Sequence, residues 1–318
     1  MHSTNPDGAV RPDAPAAAGN PVVRFIRRRP LTSFLLWFFT VAQAFVLVPA
    51  VLQAHGHAWL GEPPVFQFFV CGSTLVGLLL PAAVITRIVD GPQGLRELWR
   101  RSFAARVPLR WYALAFLGVP VLATALAVVL FGPPAGSSVT SALLSGFVLQ
   151  TVLTFLPNNW WEEVAWMGFF QSRLQSRGSS AVRAALITGP LFAVQHVALV
   201  YGGGMTAVIL MAILIVFTVP FRMVMAWAYN RTGSLFLVGV LHAVSNGVAA
   251  GAGFGLGAGL VPRLYPDGGL VAGLIHLITF AVISLIVLII TRGRLGLRRQ
   301  ANHRPSRKPV PSLEGQQS

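Results

Sequence analysis

Apolar stretches long enough to cross a bilayer recur along this chain, several of them exceeding 18 residues, with short polar connections between them. A run of that length spans a hydrocarbon core about 30 Å thick as a helix. It must do so as a helix, because no water is present there to satisfy open backbone groups. Hydrophobic residues make up 54% of the 318 and charged residues only 10%, which excludes an ordinary soluble domain. The sequence therefore predicts an all-α, polytopic membrane protein with about eight transmembrane helices in one bundle. The expected spans are 31–53, 65–89, 111–131, 141–170, 184–201, 205–229, 234–251 and 269–291, with a kink in the sixth near Pro220. The run 31–53 resembles a secretory signal with Ala42-Gln43-Ala44 as cleavage site, but its apolar character continues past Ala44, as in an uncleaved span.

The net charge of +15 invites a nucleic-acid partner, but the arginines are distributed for membrane orientation instead. Connections after even-numbered spans carry Arg96, Arg100, Arg101, Arg106 and Arg110, then Arg173, Arg177 and Arg183, then Arg231. The first three connections after odd-numbered spans have neither Arg nor Lys, and the fourth has only Arg263. This alternation predicts a multi-pass protein of the inner (plasma) membrane with both termini cytoplasmic, and no nucleic-acid partner. Residues 1–30 and 292–318 read as disordered cytoplasmic tails, the latter basic, around a bundle over 31–291. The single cysteine, Cys71, lies in an apolar run and excludes a disulfide framework.

Nine Asp and Glu occur in all, and only Glu162 and Glu163 lie inside an apolar run. Each charged carboxylate at mid-bilayer costs roughly 2.5–3.5 kcal/mol, so an adjacent pair marks chemistry or transport. Counting back to the nearest cytoplasmic Arg places Glu162, Glu163, His196 and His242 about 15–20 Å deep on three helices. His276, counted from Arg292, falls about 24 Å deep, and a helix–helix hydrogen bond is its simplest role. Asn246 follows His242 by four residues, and His196 follows Phe192 by four, so each pair shares a helix face. Two imidazoles, a carboxylate and an amide at one depth can activate water and hold an oxyanion. They can equally form a two-His, one-carboxylate metal site with an open position.

These residues resemble the motifs of the CPBP intramembrane proteases, the family of CAAX prenyl endopeptidases and bacterial Abi proteins. The family's Glu-Glu-x-x-x-Arg, Phe-x-x-x-His and His-x-x-x-Asn correspond in order to 162–167, 192–196 and 242–246. The likeness extends over about 143–251. It implies an intramembrane endopeptidase acting on a membrane-associated protein or peptide, with Glu162 and His196 activating water and His242 and Asn246 holding the oxyanion. Glu163 and Phe192 would support them. The family is described both as glutamate-dependent and as metal-dependent; if a metal is present, zinc on Glu162, His196 and His242 is the candidate. No His-Glu-x-x-His motif is present to decide.

Met167 stands where the family motif has Arg. A buried carboxylate without its counter-ion is costly, and Arg222, at a similar depth, is the expected replacement. Two other readings remain open at this point: a catalytically impaired member that binds a membrane partner, as an immunity protein would, and a proton-coupled transporter using the Glu pair.

Overall fold

A computed structural model describes residues 20–134, 136–249, 259–266 and 269–297. Among the described residues six helices are long and apolar enough to cross a membrane: α2 (Pro30–Ala54), α3 (Pro64–Val89), α5 (Leu109–Phe131), α6 (Val139–Ser176), α8 (Gly204–Thr232) and α11 (Gly269–Thr291). Two apolar helices are shorter, α7 (Ala181–Val194) and α9 (Leu235–Ala249). Together they make the all-α, polytopic, roughly eight-span architecture expected from the pattern of apolar runs. The remaining helices are α1 (Pro21–Arg28), α4 (Gly91–Ser102) and the single turn α10 (Leu260–Leu264).

Both ends of the described part carry local structure of their own. Residues 1–19 lie outside the described part, but 21–28 are helical rather than disordered. Asn20 accepts a hydrogen bond from the backbone N–H of Val22, and Pro21 occupies the first turn, where its missing N–H is harmless. At the other end, residues 298–318 lie outside the described part, while Leu295 is buried and its carbonyl accepts from Asn230 Nδ2 at 3.0 Å. The basic stretch thus begins as a packed turn on the end of α8.

The fifth span also differs from expectation. α7 ends at Val194, about 21 Å from its start, and a 3₁₀ turn over Val197–Val200 completes the crossing. α8 runs unbroken through Pro220. α6, with 38 residues, is longer than a perpendicular crossing needs, and it contains π-helical turns over Ala142–Val148, Phe155–Asn159 and Val164–Gln171. Such turns re-aim side chains and are frequent beside functional groups. The second includes Pro157, which supplies no N–H to a regular α-helical ladder.

α7 packs along α8, α8 along α11, and α9 lies against α6. The basic end is filled by an aromatic core in which Phe34 and Phe38 meet Trp166 edge-on at 5.6 and 5.1 Å, and Phe34 meets Phe169 and Phe170. α4 is fastened beneath it. Trp160 Nε1 donates to the carbonyl of Ser102 at 2.9 Å, and Arg101 bridges Glu97 and the Tyr229 hydroxyl. The hydrogen bond from Arg100, with help from Arg101, draws the Glu97 carboxyl down to about 2.

Close helix approach places the acidic turn. At Gly239 on α9, an added Cβ would stand 2.8 Å from the Cα of Trp160, two residues before Glu162. Gly239→Ala is therefore expected to lower stability by about 1–3 kcal/mol through overpacking against backbone that has no room to yield. Thermal unfolding in detergent, wild type against variant, checks this; an unchanged midpoint would mean the two helices are not in contact there.

Candidate active site

Adjacent residues on a helix point about 100° apart, so Glu162 and Glu163 cannot face the same surroundings. Glu163 turns into the protein and is fully buried. Arg222 Nη1, from α8, donates to both its oxygens at 2.8 Å. The Arg222 Nε donates to Gln171 Oε1 at 3.1 Å, and the guanidinium lies over the Phe192 ring, 5.5 Å from its centroid. Gln171 lies eight residues after Glu163 on α6, two turns along the same face. One helix thus offers carboxylate and amide together to one arginine. Met167 is buried without any charge, and Arg222 occupies the counter-ion's place from a different helix.

Glu162 turns the other way, onto the wall of a cavity of about 470 Å³. Its Oε1 accepts from Gln195 Nε2 at 2.8 Å and from the Thr74 hydroxyl at 3.4 Å, and its Oε2 accepts from Asn159 Nδ2 at 3.5 Å. Gln195 is held in turn by Trp166 Nε1, which donates to Gln195 Oε1 at 2.6 Å.

His242 connects the two acids. Its Nδ1 lies 3.0 Å from Glu163 Oε1 and 3.8 Å from Glu162 Oε2, within ion-pair range but not aligned for a hydrogen bond. On the other side of the ring, Nε2 lies 3.3 Å from Asn159 Nδ2. Asn159 also accepts from Asn246 Nδ2 at 3.1 Å, so one amide links Glu162, His242 and Asn246. The rings of Phe192 and Phe221 stand edge-on to His242 at 5.6 and 5.0 Å.

His196 lines the same cavity, at the break between α7 and its 3₁₀ turn. Its Nδ1 donates to the Phe192 carbonyl at 3.1 Å, which leaves Nε2 as the free acceptor. It shares a cavity with Glu162 but no hydrogen bond among the described residues.

His276, the outlier by depth, lines this cavity too, with Nε2 3.0 Å from the Ser245 hydroxyl. It makes the interhelical bond expected of it, yet at the chamber's wall. The cavity extends through a range of depths, which counting along single helices does not reveal.

Phe192, Glu162, His196, His242 and Asn246 all border the chamber, while Glu163 and Arg222 lie behind it. Four contributors carried no assigned role in the sequence reading: Thr74, Asn159, Gln171 and Gln195. Thr74, Asn159 and Gln195 are polar side chains inside apolar runs, and Gln171 lies just past the end of one. The three-donor metal site does not form. Among the described residues no group of three or more His, Cys, Asp or Glu is arranged to hold an ion. The carboxylate oxygens of Glu162 are already engaged by amide and hydroxyl donors.

Residues 144–248 match the family model described as Type II CAAX prenyl endopeptidase Rce1-like. This segment is similar to that family. It covers α6 to α9, the helices that contribute both acids, both motif histidines and Asn246. Comparison with curated proteins gives no match. Outside the matched segment, α3 reaches Glu162 through Thr74.

Removing the arginine from the pair leaves Glu163 charged and enclosed, a change that costs about 3–5 kcal/mol for a buried pair. Arg222→Met should lower the detergent melting midpoint strongly, and adding Glu163→Gln should recover most of the loss. A double variant as unstable as the single would show that the pair does not carry this energy.

Proposed function

We propose that this protein is an intramembrane endopeptidase of the CPBP type, hydrolysing a peptide bond of a membrane-associated protein or peptide with a Glu/His-activated water. The single observation that carries this reading is the cavity on which Glu162, His196, His242, Asn159 and Asn246 converge from three helices. The Rce1-like match over the same helices supports it.

In this mechanism a water sits between Glu162 and His196 Nε2. Glu162 takes a proton from it while its oxygen attacks the carbonyl carbon, and the C=O pair of electrons moves onto oxygen. The Asn246 N–H that does not serve Asn159 donates to that oxyanion, with the His242 ring beside it. Collapse of the intermediate breaks the C–N bond, and the proton held by Glu162 passes to the departing amine.

Gln195 and Thr74 position Glu162, and Gln195 is itself fixed by Trp166. Glu163, neutralised by Arg222, orients the His242 ring through Nδ1. No step is routed through a metal, since the donor set does not fit one. The Arg222 pair supplies the buried counter-ion that Met167 does not, which supports an active enzyme over an impaired, partner-binding member. Both termini are assigned to the cytoplasmic side of the cell membrane on the arginine alternation.

Loss of a general base costs about 10²–10⁴ in rate. Glu162→Gln and His196→Ala should each cut turnover by that order while leaving the detergent melting midpoint unchanged. Comparative membrane proteomics of cells with wild type and Glu162→Gln reads this as a shortened protein present only with the wild type. Identical fragment sets in the two would sink the hydrolase and favour partner binding.

A further inference from the structure

The chamber around Glu162 is asymmetric along the bundle. Towards the basic end its floor is closed by the buried Arg222–Glu163–Gln171 group, with Trp166, Phe169 and Phe170 packed beyond it. In the opposite direction its walls continue to Phe66 and Val70 near the start of α3, Leu199 and Val200 after α7, and Leu210 near the start of α8. Leu199 and Leu210 are 48% and 38% exposed while lining the chamber, so its wall runs out to the protein surface at this end. These positions adjoin the connections at 55–63 and 201–204, which contain neither Arg nor Lys. His276 follows the same trend, since it borders the chamber at a level farther from the basic end than the acids do.

From this we infer that the chamber is entered from the arginine-poor, extracytoplasmic side, and that its occupant is an apolar peptide segment presented from that half of the bilayer. The inference deepens the proteolytic reading, on which it rests only for the occupant being a peptide. The basic end is the cytoplasmic end by the positive-inside rule, so a mouth at the other end faces outward. The mouth is lined by Leu199, Leu210, Ile213 and Leu214, and His276 and Ser245 farther along the wall are bonded to each other, so an apolar segment can slide in without stranding a charge. The volume falls in the roughly 300–1,000 Å³ range of sites that enclose most of a ligand. This route differs from one serving a chain end that arrives from the cytoplasm.

The test reads the route without needing catalysis. In the full chain with Cys71→Ser, single cysteines replace Val70, Leu199, Leu210 and Ile213 in turn. Tyr201→Cys marks the arginine-poor end and Ser176→Cys the basic end. Intact spheroplasts and inverted vesicles are treated with the membrane-impermeant cation methanethiosulfonate ethyltrimethylammonium, and modification is read as a gain in mass.

The expected result is that the chamber cysteines and Tyr201→Cys are modified in spheroplasts, with Ser176→Cys modified only in inverted vesicles. Chamber cysteines modified only in inverted vesicles would overturn the inference. So would chamber cysteines that stay unmodified while both marker cysteines react, or markers that react from the reverse sides. Four positions guard against one variant failing to fold. Inactive Glu162→Gln protein should label identically, so failure of the route and failure of the protease reading are separable.

Discussion

The buried contact between Arg222 and Glu163 is the interaction on which the rest of the site depends. Glu162 and Glu163 share one helical turn, so whatever fixes one side chain fixes the direction of the other. With Glu163 drawn to a guanidinium from α8, Glu162 is left facing the chamber and His242 is caught between the two acids. An ion pair of this kind is weak evidence for stability against an apolar alternative. Its value here is geometric: one orientation of α6 satisfies the charge, and other rotations leave it stranded.

The same logic explains why the polar groups form a connected set. A lone amide or hydroxyl buried among apolar helices is expensive unless bonded. Trp166 to Gln195 to Glu162, and Asn246 to Asn159 to His242, are chains in which each member satisfies the next. Such networks hold side chains in one rotamer, as a group that must meet a reacting atom requires. They also draw on α3 through Thr74, so the helices that carry the acids and imidazoles are not a self-sufficient unit.

The chamber's shape follows from the distribution of aromatic bulk. Phe34, Phe38, Trp166, Phe169 and Phe170 fill the end of the bundle where arginines crowd the connections. The other end is lined by Phe66 and several aliphatic side chains and by the 3₁₀ turn where α7 stops short. That early stop has two consequences: it puts His196 at a helix end rather than mid-helix, and it removes a wall that a full-length helix would have built.

Much of this protein was legible in its sequence. Apolar runs of bilayer length dictate helices, because backbone groups in hydrocarbon have no other partners, and the arginine alternation orders them. The spacing 192–196 and 242–246 placed chamber-lining residues on common faces, and the lone acidic pair marked the turn of α6 that meets Arg222 and His242. Arg222 was legible as a counter-ion because a charge at that depth needs an opposite one nearby. What only the tertiary structure decided is which acid faces which way, which of many buried polar residues complete the network, and where the chamber opens. Asn159, Gln171 and Gln195 look like any polar residue in or beside an apolar run until a neighbouring helix is docked against them. Periodicity reports the face on which a side chain lies; what that face meets is set by packing between segments far apart in the chain.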